Sequence, residues 1–146
     1  KVPFVKQLMK SVSNRAQQRG QIRTLLGRLC RFHLWEPNRF GINKALPFEQ
    51  AVQEHGQGNI RRAYTYKALN KLIQGSAADM TKKSMLDLYK EGIIAHIQIH
   101  DELDLSVESP EQAKKVVEIM ENAVKLDVPN KVDYESGKNW GDIYDK

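Results

Sequence analysis

Apolar and polar side chains alternate along two short stretches of the chain, residues 93–99 and residues 103–108. A repeat of two residues is typical of a half-buried strand. Because the connection between the stretches is very short, the pattern predicts a β-hairpin with His100-Asp101-Glu102 at its tip. That connection has none of the Gly, Asn or Pro residues that tight turns favour. This sequence fits an acidic, solvent-exposed turn, and it also fits a turn that binds a divalent cation.

Apolar positions that recur every three or four residues predict helices elsewhere in the chain. The first helix begins near Pro3 and ends at Gly20. A longer one runs over residues 73–91, and a short one is expected over residues 60–66. Gly92 follows the long helix, and glycine is the usual residue just beyond a helix C-terminus.

The last helix has the clearest start signal. Ser109 is placed as the N-cap, Pro110 as the first helical residue, and Gln112 at the capping-box position. An apolar stripe then follows at Ala113, Val116, Val117, Met120 and Val124. These features together predict an amphipathic helix that packs one face on a core.

The remaining segments complete the predicted fold. Residues 21–25 and 28–35 flank Leu26-Gly27 and indicate a second hairpin, whereas residues 36–58 are rich in Pro, Gly and Asn and indicate a loop. Residues 131–135 are expected to form a final strand. The order of hairpins, helices and strand predicts an α+β fold with an antiparallel sheet packed by helices.

Composition limits the classes of protein that fit this chain. Its 146 residues suffice for one hydrophobic core. Cys30 is the single cysteine, so an internal disulfide is excluded, and its spacing to His33 lacks the second pair that a zinc site needs. No apolar run reaches membrane-spanning length, so we expect no membrane association.

Charge divides the chain into two halves. Residues 1–75 contain 14 Lys or Arg and 3 Asp or Glu, while residues 76–146 contain 9 and 15. A basic segment joined to an acidic one favours a nucleic-acid surface on the basic side. A solvated basic face without a ligand is the alternative.

Two motifs together resemble a known family. The run Gln74-Gly75-Ser76-Ala77-Ala78-Asp79, then a predicted helix and His100-Asp101-Glu102-Leu103, is similar to the C-terminal part of family A (DNA polymerase I-like) DNA polymerases. Thr24-Leu25-Leu26-Gly27-Arg28 resembles the T-x-x-G-R stretch between fingers and palm, and Asn139-Trp140 resembles the terminal strand and tail. The resemblance covers essentially the whole chain, and residues 63–70 look most like phage-encoded branches.

The resemblance implies a fold and a partial site. It implies an antiparallel palm sheet with a catalytic β-hairpin, in which residues 1–58 lie at the fingers–palm junction and residues 59–146 form the palm core. His100, Asp101 and Glu102 would be catalytic, with Asp101 and Glu102 holding Mg²⁺ in a two-metal site. His100 would lie near the primer-terminal backbone; a half-buried His bonded to a backbone carbonyl is the alternative.

The resemblance also implies a DNA-binding set. Asn70 and Gln74 are four residues apart and so share a helix face, from which amides can bond the minor-groove acceptors that every base pair displays. The alternatives are a helix cap for Asn70 and a core hydrogen bond for Gln74. Arg28 and Arg62 are candidate backbone contacts. Tyr66 stands where the family often has Arg, which puts a third minor-groove contact in doubt.

The expected partners are primer–template DNA, a dNTP and an N-terminal polymerase portion in the same or a separate polypeptide. The family's motif A aspartate and the Lys and Tyr of its fingers helix are expected to lie outside this chain, which alone is then expected to be inactive. The expected location is the cytoplasm, that of the bacterial host if the chain is phage-encoded. A non-catalytic DNA-binding or assembly module of a split polymerase is the alternative function.

Overall fold

Residues 3–41 and 43–144 are described by a computed structural model, with only the backbone given for Tyr144. The chain divides into two compact units, residues 1–79 and residues 80–146. The helices are α1 (Pro3–Arg19), α2 (Phe48–His55), α3 (Ala68–Lys90), α4 (Pro110–Asn122) and α5 (Gly141–Tyr144). The strands are β1 (Gln21–Arg23), β2 (Leu29–Arg31), β3 (Trp35–Pro37), β4 (Ile60–Arg62), β5 (Ile97–Ile99) and β6 (Glu102–Asp104).

The strands form three separate antiparallel pairs, β1–β2, β3–β4 and β5–β6. The α+β class is therefore confirmed, while the single continuous sheet that we expected is not found among the described residues. Each pair is short because every strand has three residues. None of the helices in residues 3–41 and 43–144 is long and apolar enough to cross a membrane.

The first unit is built around α1 and the hairpin that follows it. Gly20 ends α1 with a positive φ of 67°, and its N–H donates to the carbonyl of Ala16. This conformation is one that glycine adopts without strain. A cluster of buried apolar side chains among the described residues of this unit consists of Val12, Ala16, Ile22, Phe32 and Ala68.

Two predictions for the first unit were wrong. Residues 60–66 are not helical, because residues 60–62 form β4, which pairs with β3 in the register Trp35↔Arg62, and a 3₁₀ turn follows at Thr65–Lys67. The segment 36–58 is not only loop, because it contains the end of β3 and all of α2, whose Ala51 is fully buried. Tertiary pairing and burial override local propensity at both places.

The long helix α3 begins at Ala68 and not near residue 73. Ala68 is fully buried in the first core, and its burial favours a helix that begins five residues before the predicted start. Gly92 follows the C-terminal end at Lys90 with a φ of 76°, as the sequence predicts.

The second unit packs β5–β6 and α4 around Leu88, Ile93 and Val116. Ser109 caps α4 by accepting a hydrogen bond from the Gln112 N–H at 3.2 Å, which confirms the predicted start. Residues 131–135 do not form the expected strand. The Val132 N–H donates to the Glu121 side chain at 3.1 Å, so a carboxylate takes the place of a ladder partner.

Candidate functional site

The β5–β6 hairpin ends in a two-residue turn. Ile99 pairs with Glu102, which leaves His100 and Asp101 as the whole connection. His100 has a φ of 51°, in the left-handed region that side chains other than glycine seldom adopt. The Gln98 amide donates to the His100 carbonyl at 2.5 Å and so supports the turn from its own strand.

The two faces of strand β6 have different surroundings. Leu103 and Leu105 pack against the core of the second unit. Side chains alternate along a strand, so Glu102 and Asp104 lie on the other face. His100, Asp101 and Glu102 are all exposed, which excludes the half-buried histidine considered above. An apolar anchor under a polar tip holds adjacent carboxylates at a defined place.

The chemistry of the tip fits a hard cation in part. Carboxylate oxygens are the ligands that Mg²⁺ prefers, and Asp101 and Glu102 offer two such groups side by side in sequence. Within residues 3–41 and 43–144, however, no three His, Cys, Asp or Glu side chains come together as a metal-binding group. Any cation bound here needs further ligands beyond these two.

Asp104 adds a polar atom beneath the tip. Its Oδ2 is buried and accepts no hydrogen bond from the residues that the structure describes. A buried polar atom without a partner is costly, typically about 1–3 kcal/mol. This oxygen lies on the same strand as Glu102 and on the same face, so a donor approaching that face would satisfy it.

The amide pair on α3 has the properties of a contact surface. Asn70 and Gln74 are both exposed, and neither side chain forms a hydrogen bond with the described part of the chain. Asn70 is not a cap, since α3 begins two residues earlier at Ala68. The two structural alternatives, a cap and a core hydrogen bond, are thus not met. The amides belong to the first unit and the hairpin to the second.

Arg28 is held against α3 by two partners. Its Nε donates to Asp79 Oδ1 at 2.7 Å, and its Nη2 donates to the Gly75 carbonyl at 2.8 Å. Half of the side chain remains exposed. Thr24 also donates to Asp79, through a buried hydroxyl.

Asp79 itself is buried, at 6% exposure. Burial raises the pKa of Asp79. Hydrogen bonds from Thr24 and Arg28, together with the Arg28 charge, lower this pKa by more than burial raises it, so the net shift is downward. The group is therefore a carboxylate at neutral pH. Sequence reasoning missed this contact, because Thr24 and Asp79 are 55 positions apart and neither motif points to the other.

Arg62 is engaged inside the first unit. Its guanidinium lies 4.5 Å from the centroid of the Trp35 ring and donates to the carbonyls of Gln17 and Phe32. It also approaches Gly20 so closely that an added Cβ there would lie 2.7 Å from Cζ. These contacts give Arg62 a structural role, and its predicted contact with DNA stays a prediction.

Basic and aromatic side chains surround the start of α3. Tyr66 is 68% exposed, and the Lys67 Nζ lies 5.6 Å from its ring centroid. Lys71, one turn further on, lies 5.6 Å from the ring of Phe32. The exposed amides of Asn70 and Gln74 thus share their helix with positive charge, a combination suited to a polyanion.

Nearly the whole chain matches a known protein family. The family model described as DNA polymerase family A matches residues 1–142. A DNA-directed DNA polymerase of Pseudomonas phage M6 is 38% identical over 141 residues, which cover 97% of this chain and 18% of that protein. DNA polymerase I of Geobacillus stearothermophilus is 38% identical over 151 residues, covering 96% of this chain and 15% of the relative.

A solved structure is similar as well. The POL domain of Pol1 from M. smegmatis, in complex with DNA primer-template and dNTP, aligns with a TM-score of 0.58 and 30% identity. The alignment covers 86% of this chain and 20% of that one. The chain thus spans between 15% and 18% of the length of the two relatives named above.

Proposed function

The chain belongs to DNA polymerase family A, and we propose that it forms part of a DNA-directed DNA polymerase active site. In this role it binds primer–template DNA and supplies the acidic hairpin for nucleotidyl transfer. The observation that carries the proposal is the turn at His100-Asp101, where adjacent exposed carboxylates are mounted on a hairpin anchored by Leu103 and Leu105.

The hairpin would act through Mg²⁺. Asp101 and Glu102 would hold the ions together with ligands from the rest of the polymerase. Ions held there would supply charge neutralisation for the attacking 3′ oxygen and the leaving pyrophosphate. The residues of this chain fix where that charge sits: the short turn leaves Asp101 little freedom, and the paired strand does the same for Glu102.

The α3 amides would test the shape of the terminal base pair. An amide can donate to the minor-groove acceptors common to all base pairs, so contact by Asn70 and Gln74 is independent of sequence. Their exposure and lack of intramolecular partners within the described residues support this role. Arg28 and Arg62 would add positive charge near the DNA backbone. Contacts with other residues of the chain already hold their side chains.

The partners follow from this assignment. They are primer–template DNA, an incoming dNTP, and the polymerase portion that carries the motif A aspartate and the nucleotide-binding helix. That portion can lie in the same polypeptide or in a separate one. A host-cell cytoplasmic setting, with a phage as the source, is consistent with the similarity to the phage M6 enzyme.

A second candidate is a DNA-binding or assembly module without activity of its own. It is favoured by one observation, that no third acidic, His or Cys ligand joins Asp101 and Glu102 among the described residues. The two candidates differ in whether a completed enzyme depends on the hairpin.

A complementation assay separates them. The chain is joined to, or mixed with, the portion of a related polymerase that carries the motif A aspartate and the nucleotide-binding helix, and is given primer–template, Mg²⁺ and four dNTPs. We expect extension by the completed enzyme and none by the chain alone. Robust Mg²⁺-dependent extension by the pure chain would overturn the proposal that residues of another polymerase portion complete the site. Completion that tolerates removal of both carboxylates would favour the assembly module.

A further inference from the structure

A polar cluster links the β1–β2 turn to α3. Thr24 and Arg28 both donate to the carboxylate of Asp79, and the Arg28 N–H donates to the Thr24 hydroxyl at 3.0 Å. Asp79 and Thr24 are buried, at 6% and 7% exposure. All three residues belong to the first unit, and none is a ligand or DNA contact in the function proposed above apart from the backbone contact suggested for Arg28.

The same turn reaches the residues that directly follow Gln74. Arg28 Nη2 donates to the Gly75 carbonyl at 2.8 Å, and the Leu25 N–H donates to the Ser76 hydroxyl at 3.0 Å. A Cβ on Gly75 would lie 2.8 Å from Thr24 Cγ2, so only glycine permits this approach. These contacts restrain the rotation of α3 about its axis and its position along that axis at the point where Gln74 projects.

The position of the Gln74 side chain depends on its own backbone. This side chain is exposed and forms no hydrogen bond within the described residues. A buried and fully bonded carboxylate is a stiff anchor, because its hydrogen bonds are strengthened by charge. The cluster therefore restrains the one segment whose placement decides where the amide points.

We propose that Asp79, held by Thr24 and Arg28, is a positioning residue that sets the placement of Gln74 and hence the discrimination against mismatched primer termini. The inference rests on the minor-groove role proposed for Gln74. It assigns to Asp79 an effect on selectivity in addition to its contribution to stability. With a misplaced amide, catalysis continues, but a correctly shaped base pair at the primer terminus no longer favours extension.

The test uses conservative changes at the cluster in the completed polymerase. Thr24→Val removes the hydroxyl and keeps the shape, whereas Thr24→Ser keeps the hydroxyl. Asp79→Asn removes the charge. The matched control is Glu36→Gln, which breaks another ion pair of the first unit, Arg61–Glu36 at 2.9 Å, away from α3. The readout is the ratio of extension rates from matched and mismatched primers, with thermal midpoints recorded in parallel.

We expect Thr24→Val and Asp79→Asn to lower the matched-to-mismatched ratio by about three- to tenfold, the range that one lost hydrogen bond supplies. Thr24→Ser should restore the ratio, and Glu36→Gln should leave it unchanged even if it lowers the thermal midpoint. Equal losses on both primers, or loss in Glu36→Gln as large as in Asp79→Asn, would show a purely structural role and overturn the proposal.

A double variant separates this inference from the function on which it rests. If Asp79 acts through Gln74, Asp79→Asn should not lower the ratio further in a Gln74→Ala background. An additive effect of the two changes would overturn the inference while leaving the role of Gln74 intact. An unchanged ratio in Gln74→Ala alone would overturn the minor-groove role itself. If Asp79→Asn does not fold, the Thr24→Val and Thr24→Ser pair carries the same comparison.

Discussion

Ile99 lies opposite Glu102 across the β5–β6 pair, so that His100 and Asp101 alone make the turn. This register places the residue with left-handed backbone directly before the aspartate that we assign to the metal site. Strained backbone of this kind costs about 1–3 kcal/mol and tends to occur at functional sites. The turn therefore gives up local stability to fix the direction of one carboxylate.

Replacing His100 with glycine tests whether the turn is strained. Because glycine adopts a positive φ readily, His100→Gly should leave the free energy of unfolding unchanged or raise it by up to about 1 kcal/mol. The control is His96→Gly, at an exposed position outside the positive-φ set, which should lose about 0.5–1 kcal/mol. Urea unfolding of both variants gives the comparison. A clear loss for His100→Gly, equal to that for His96→Gly, would remove the argument for strain.

Acid should weaken the first unit through Asp79. The folded-state pKa of Asp79 lies below its ordinary value, so the unfolded chain binds the proton more tightly. The contribution to stability is complete above the unfolded pKa of about 3.9 and is lost as the pH falls through the folded pKa.

Asp79→Asn should abolish this part of the pH dependence. The variant should be less stable at pH 7 by about 1–3 kcal/mol, the cost of leaving buried donors unsatisfied. The difference from the native chain should shrink on acidification below pH ~4, as followed by urea unfolding at several pH values. Parallel stability profiles for the two proteins would contradict the assignment of a charged, bonded carboxylate.

Salt dependence distinguishes the amides from the basic residues. Each phosphate contact releases a counterion, so the affinity of the chain for primer–template DNA should fall steeply with salt. Lys71→Ala should reduce the slope of log affinity against log salt by about one, the effect of one lost contact. Gln74→Ala and Asn70→Ala should weaken binding and leave the slope unchanged, because their amides contact base edges.

Fluorescence anisotropy over a series of salt concentrations measures these slopes. Asp127→Ala, at an exposed acidic position of the second unit, serves as the control for nonspecific change. A slope reduced by Gln74→Ala as much as by Lys71→Ala would assign the amide to the phosphate backbone. Binding without any salt dependence would contradict the nucleic-acid surface as a whole.

The parts of the fold that sequence predicted are those with a local cause. Gly20 and Gly92 end their helices, and Ser109 begins α4, because each acts on its neighbouring backbone. The sequence predicts a helix over residues 60–66, whereas residues 60–62 pair with β3, and this pairing with Trp35 and its neighbours leaves no local signal. The early start of α3 likewise depends on the burial of Ala68.

The same division holds for the candidate site. The acidic tip is a run of adjacent residues, so sequence alone places it on a hairpin. The four-residue spacing of Asn70 and Gln74 predicts a shared helix face, but only the structure extends α3 far enough to include Asn70. The ion pair of Arg28 with Asp79 joins residues 51 positions apart and became visible only in three dimensions. The stacking of Arg62 on Trp35 likewise has no sequence signal, and the predicted contact of Arg62 with DNA stays a prediction.

In the proposed function, the hairpin tip supplies a metal-binding carboxylate for nucleotidyl transfer. Single-turnover extension by the completed polymerase, comparing Asp101→Ala with the surface control Asp127→Ala, tests it most directly. Loss of a ligand removes stabilisation of charge that develops in the transition state, so Asp101→Ala should lower the rate by at least about 10²- to 10³-fold. Its affinity for primer–template DNA should stay close to that of the control. Extension by Asp101→Ala at the rate of Asp127→Ala would contradict the account.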